Sequence, residues 1–161
     1  MNDIPTSVPV VEKTIEISAP PSAVWRALTE PEQIEQWMGG SRMESAWEPG
    51  AAIRFTGKLH EKMNRDRATV LAVDHERLLR YSYWTEVSEF PDLPEHRTVI
   101  TLSLEGTGNE TRLSVRHENF HDDVAYKHGN FFWGGALAGV KKLVERQHGE
   151  GGIALRRHEH S

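Results

Sequence analysis

The chain contains no cysteine. That excludes a disulfide framework, a thiolate nucleophile and thiolate metal ligands. Long apolar runs are missing as well. No window nears the roughly 20 residues that a membrane-spanning helix needs, and the opening MNDIPTSVPV has no basic segment followed by an apolar stretch, as a secretory leader would. Positive charge is in short supply, with 19 Lys and Arg against 24 Asp and Glu, a net charge of -5. Neither nucleic acid nor an anionic membrane surface is therefore an expected partner. The sequence also lacks GxxxxGKS/T, GxGxxG, HExxH and GxSxG, which removes the commonest phosphate, dinucleotide, zinc and serine-hydrolase signatures. No internal repeat is visible. At 161 residues the chain is long enough to close one core unaided. The expectation is a single cytoplasmic domain over residues 10–147, with tails at 1–9 and 148–161 and no cofactor.

What is present is patterned. In the stretch Asn130 to Gln147, NFFWGGALAGVKKLVERQ, a turn of about 100° per residue gathers Phe132, Trp133, Ala136, Leu137, Val140, Leu143 and Val144 on one face. Lys141, Lys142, Glu145 and Arg146 fall on the other. An amphipathic helix of this kind needs a surface to lie on, and nearly everything upstream reads as strand. Val11, Ile15 and Ile17 alternate with Glu12, Thr14 and Glu16 across Val10 to Ser18, the period of a half-buried strand. Ala19-Pro20-Pro21-Ser22 stops it. The following residues carry Val24, Trp25, Leu28, Ile34, Trp37 and Met38 at helical spacing with Pro31 as a break, which predicts two short helices, Pro21 to Thr29 and Glu32 to Trp37. After Gly39-Gly40 come strands at Arg42 to Ala46, Ala51 to Thr56, Asp66 to Val73 and Leu78 to Thr85, with turns at Glu48-Pro49-Gly50 and Asp74 to Arg77. A loop from Glu86 to Glu95 is expected to cap one end of the sheet. The last two strands hold Ile100, Leu102 and Leu104, then Leu113 and Val115, on either side of a GTGN turn. The order defines an α+β protein: a curved antiparallel sheet of six or seven strands wrapped on a long C-terminal helix, with two short helices after strand one.

Three segments carry a resemblance: TIEISAPPSAVWRALTEPEQIEQWM at Thr14 to Met38, ATVLAVDHERLLRYSYW at Ala68 to Trp84, and HENF with FFWGGALAGVKKLVE at His117 to Phe120 and Phe131 to Glu145. They resemble the START-like superfamily known as SRPBCC, with its helix-grip fold, and within it the branch similar to the C-terminal domain of the activator of the heat-shock-protein-90 ATPase. The resemblance implies a cavity between sheet and helix used for lipids, hormones, polyketides or other apolar molecules. It implies no shared reaction, because the superfamily includes carriers, cyclases and chaperone cofactors. In one respect the chain departs from these relatives, which often place glycine immediately before the tryptophan of the final helix. Here Phe132 precedes Trp133 and Gly129 lies earlier.

Candidate site residues follow from position. Trp37, Trp84 and Phe132 sit at the end of the short helices, near the end of a central strand and on the sheet-facing side of the long helix, and Trp37 and Trp84 are expected at a cavity entrance. Phe55, Tyr81, Tyr83, Trp133 and Leu137 complete the expected lining, against the alternative that all these side chains only fill a packed core. His117 continues the inward row of Leu113 and Val115. There it is either a general base or ligand partner, or a buried neutral histidine bonded at the strand end. Glu118, next in the chain, points to the opposite face and is no orienter for it. Asp122-Asp123 before Val124 to His128 reads as a helix cap. Trp25 reads as core, His60, Glu89 and Asp92 as surface, and His148, His158 and His160 as part of a polar tail, so no metal site is expected. Three functions remain open: binding of a small hydrophobic or aromatic ligand, a chaperone-cofactor or other interaction module with a protein partner or a second copy of the chain, and a cyclase or hydrolase of hydrophobic substrates.

Overall fold

The computed structural model describes residues 9–57, 66–86, 88 and 90–159, with side chains described as far as residue 149. Seven strands form a single antiparallel sheet: β1 (Val11–Ile17), β2 (Arg42–Glu44), β3 (Ala52–Thr56), β4 (Arg67–Asp74), β5 (Leu78–Trp84), β6 (Thr98–Thr107) and β7 (Glu110–Glu118). Their spatial order is β1-β7-β6-β5-β4-β3-β2. Every connection after β2 is thus between neighbours, and only β1 is separated from β2, by two helices. These are α1 (Pro21–Thr29) and α2 (Pro31–Trp37), each with proline in its first turn, where the missing N–H has no helical partner to lose. A third helix, α3 (Asp123–Glu159), crosses the concave face. None of the helices among the described residues is long and apolar enough to cross a membrane.

The expected architecture is present, with corrections at the edges. Val124 to His128 is not a separate helical segment. It forms the first turns of α3, because nothing between it and Asn130 lacks an N–H or forces a turn. The helix also continues past Gln147 to Glu159. Strand β2 ends at Glu44 instead of Ala46, and α2 begins at Pro31 instead of Glu32. In β4 the register against β5 shifts between Val70 and Ala72, an extra residue that leaves Leu71 exposed while Val70 stays inside.

The core is the product of two periods meeting. Period 2 places Ile100, Leu102 and Leu104 opposite His117, Val115 and Leu113, and Leu113 in turn opposite Ile15. Period 3.6 places Trp133, Ala136, Leu137, Val140, Leu143 and Val144 of α3 against that surface, all buried. Burial of a side chain such as Leu137 is worth about 1.5–3 kcal/mol. Polar bonds fix the far part of the helix to the first strand: Lys141 Nζ donates to the Glu16 carbonyl (2.6 Å) and to Glu145 (2.8 Å), which also accepts from the Ser18 N–H (2.8 Å). Gly57, just after β3, has φ +108°, and a Cβ there would stand 2.4 Å from the Gly40 carbonyl oxygen. Glycine is required at that crossing.

Candidate ligand-binding site

Towards its N-terminal end α3 parts from the sheet. The space between them is a cavity of about 870 Å³. Its walls are β5 and the start of β6 on one side, the first turns of α3 on another, and Met38, Ser41, Met43 and Phe55 at the third. The sheet's curvature opens the gap, and the side chains do not refill it. Gly129 is one reason the helix sits where it does, since a Cβ at this position would come within 3.0 Å of the Phe120 ring and 3.3 Å of His117 Nδ1.

Of the nine side chains expected at the site, eight line this cavity: Trp37, Phe55, Tyr81, Tyr83, Trp84, His117, Phe132 and Trp133. Leu137 does not. One turn beyond Trp133, it is buried in the packed core where helix and sheet are in contact. Trp37 is part of the wall and not of an entrance, buried and tied back by its indole N–H to the Ala27 carbonyl at 2.7 Å. Phe132 remains partly exposed, edge-on to Trp133 with ring centroids 5.0 Å apart. Trp84 donates to the Phe90 carbonyl at 2.9 Å and holds the loop before β6 over the cavity. Phe90 contributes its ring, packed against His96 and His121 at 5.3 Å each. Sequence reasoning missed Thr98, Ile100, Phe120 and Asp66 as lining residues. Thr98 and Ile100 were within reach, because they continue the inward row of Leu102 and Leu104. Asp66 gives no signal in the sequence.

The polar groups on the β5, β6 and β7 side of this space form one connected set, whereas the buried Ser41 hydroxyl on the opposite wall has no partner. The Trp133 indole N–H donates to His117 Nδ1 at 3.1 Å, and His117 Nε2 lies 2.8 Å from the Thr98 hydroxyl, which reaches the Tyr83 carbonyl at 3.3 Å. Indole can only donate, so Nδ1 must accept and the proton of the neutral ring sits on Nε2. The donors then run in one direction, Trp133 to His117 to Thr98 to Tyr83. Burial pushes the His117 pKa down to about 4, so the ring is neutral at pH 7. With one nitrogen accepting and the other donating, it has no free lone pair for a substrate proton. A general-base role for His117 has no support in this geometry. Its partners come from 16 and 19 residues away, beyond what any reading of local sequence would supply.

Tyr83 donates to Asp66 at 2.7 Å, and burial with the nearby carboxylate pushes the phenol pKa upward. Tyr81, on the same face of β5, is also raised by burial. Both are neutral donors at any ordinary pH. At the start of α3, Asp122 Oδ1 accepts the Ala125 N–H at 2.7 Å, so this carboxylate is an N-cap, as its position suggested. His60 and Glu89 lie outside the described residues, as do the side chains of His158 and His160. Among the described residues no three His, Asp or Glu side chains converge as metal ligands would.

A curved antiparallel sheet gripping a long helix over an apolar cavity is the architecture of the START-like, SRPBCC class. Within that class the chain belongs to the family described as activator of Hsp90 ATPase homolog 1-like protein, whose profile matches residues 18–145. No curated protein matches the sequence. Among solved structures, a protein from Cytophaga hutchinsonii is similar at 28% identity and TM-score 0.73, covering 89% of this chain and 99% of its own. One from Mesorhizobium loti is similar at 25% identity and TM-score 0.70, over 86% and 98% of the two chains. The Aha1 dimer from Colwellia psychrerythraea shares the fold at 22% identity and TM-score 0.67, over 85% and 96%.

Proposed function

We propose that the protein binds a small hydrophobic or aromatic molecule in the cavity between β5, β6 and the first turns of α3. The observation that carries this is the unfilled space of about 870 Å³ lined by tryptophan, tyrosine and phenylalanine rings. That volume falls within the range of small-molecule sites, and an apolar lining with a few placed polar groups is their usual composition. Affinity would come from buried apolar contact, and the lining residues Trp37, Trp84 and Trp133 make intrinsic fluorescence a direct readout. The test is a diverse library of neutral aromatic and acyl compounds, scored by tryptophan quenching and by thermal stabilisation. A ligand at 100 times its Kd would stabilise by about 2.7 kcal/mol. A library that yields neither effect sinks the carrier reading.

A second reading, as a protein-interaction module, is favoured by the exposure of Phe131 (86%) on α3, an apolar ring outside the cavity lining with no covering element. Family membership and the dimeric relative make a second copy of this chain or a chaperone the partners to try. Sedimentation of the parent and of Phe131→Ser separates the two: a dimer lost in the variant supports the module. A cysteine-free chain suits the reducing cytoplasm as the setting for either role.

A further inference from the structure

We propose that the ligand is a neutral molecule carrying a carbonyl or ether oxygen, and that the Tyr81 hydroxyl is the group that receives it. This rests on the cavity being a binding site, and it adds which chemistry the site selects. The starting point is an imbalance among the cavity's polar groups. Trp37, Trp84 and Trp133 all spend their indole protons on protein acceptors, and His117, Thr98 and Tyr83 are likewise engaged. Tyr81 is only 4% exposed and lines the cavity, yet its hydroxyl makes no hydrogen bond to any described residue. A phenol whose water is displaced by an apolar group without a replacement partner costs about 1–3 kcal/mol, and folding retains this one on the middle strand of the sheet. Its cross-strand neighbours are the buried Val70 and Ile100, neither of which can bond it. The hydroxyl therefore faces the void as an unused donor; the unpartnered Ser41 hydroxyl is a second one on the lining, set on the opposite wall between α2 and β2.

Charge narrows the class. A carboxylate brought to Tyr81 would be buried among apolar side chains with a neutral phenol as partner, and the next side chain on the same face, Tyr83, already bonds an aspartate. Among the described residues no lysine or arginine lines the cavity. Its histidines other than His117, which are His96, His121 and His128, belong to the loop before β6 and to the start of α3, not to β5 where Tyr81 sits. Burying an anion there costs far more than one hydrogen bond returns. A ketone, ester or ether oxygen satisfies the phenol without bringing charge, and the rings around it accept the apolar remainder.

The experiment compares three probes of one shape: 2-acetylnaphthalene, 2-ethylnaphthalene and 2-naphthoate, titrated into the parent and into Tyr81→Phe, with Kd from tryptophan quenching and calorimetry. In the parent the ketone should bind roughly threefold to tenfold tighter than the hydrocarbon, the yield of one neutral hydrogen bond, and the naphthoate at least about tenfold weaker than the ketone. In Tyr81→Phe the ketone should fall to the level of the hydrocarbon, whose affinity should not change. The variant should melt no lower than the parent, since the hydroxyl has no partner to lose. Equal affinities for ketone and hydrocarbon in the parent, or an equal loss of both in the variant, overturn the Tyr81 assignment and leave the cavity as a site. Tightest binding of the naphthoate overturns the neutral class. If none of the three binds the parent, the inference falls together with the cavity reading.

Discussion

Replacing His117 with glutamine isolates the effect of one buried imidazole on stability against pH. Glutamine keeps an oxygen to accept from Trp133 and an N–H to donate to Thr98, so at pH 7.5 the variant should lose about 1 kcal/mol or less, the scale of one imperfect hydrogen bond. The difference appears on acidification. In the folded protein burial holds the His117 pKa at about 4, while in the unfolded chain it returns to about 6.5. Between these values the unfolded state binds a proton that the folded state refuses, so stability falls as pH drops through 6.5 and levels off only below 4. At pH 4.5 the loss from this residue works out at about 2.5 kcal/mol relative to pH 7.5. Other titrating groups contribute equally to parent and variant and cancel in the comparison. The assay is urea unfolding of both proteins at the two pH values. The parent's midpoint should drop by roughly 1 M more than the variant's, for a typical urea slope. Equal losses in the two proteins would mean that His117 is not held neutral, and the directional Trp133 to His117 to Thr98 chain would be refuted with it.

Leu137→Asp should prevent stable folding, because it removes a buried side chain worth about 2–5 kcal/mol and adds an unpaired charge, against a total stability of about 5–15 kcal/mol; a variant whose circular-dichroism melt matches the parent's would remove this stripe of α3 from the core. Gly57→Ala should cost about 2 kcal/mol or more, since strain at φ +108° is joined by a 2.4 Å approach to the Gly40 oxygen. Gly108→Ala, at φ +61° with nothing within 4 Å, should cost only the about 1–2 kcal/mol of a left-handed alanine. Equal melting temperatures for the two glycine variants would show that the crossing at Gly57 is not tight.

The fold was legible because it is written in periods. Val11, Ile15 and Ile17, then Ile100, Leu102 and Leu104, then Trp133, Leu137, Val140 and Val144 each announce which face is buried, and a sheet able to cover that helix follows from their order. Eight of the nine side chains named for the site border one cavity for the same reason: an inward face is a sequence property. Leu137 shows the limit, because the face is shared by core and cavity, and where packing gives way to void depends on how far the sheet curves. The bonding of His117 was illegible for a different cause. Its partners meet it only after β6, β7 and α3 have assembled, and the choice between base and bystander rests on Trp133 Nε1 approaching to 3.1 Å. The start of α3 was placed at Asn130 because the apolar stripe begins there, whereas the helix runs on through Gly129, which gives the clearance needed beside Phe120.

One helix lying partly on packed side chains and partly over empty space has an uneven foundation. From Ala136 to Val144 the inner residues of α3 are buried in the core. From Val124 to Trp133 the inner side borders the cavity instead. Local opening is easiest where few buried apolar contacts oppose it, so amide hydrogens in the first turns should exchange with solvent faster than those two or three turns further on, although both belong to a single unbroken helix. A molecule filling the space would supply the absent support. Its arrival would be recorded as slowed exchange in those first turns, some distance from Leu143 and Val144, whose amides would not register it.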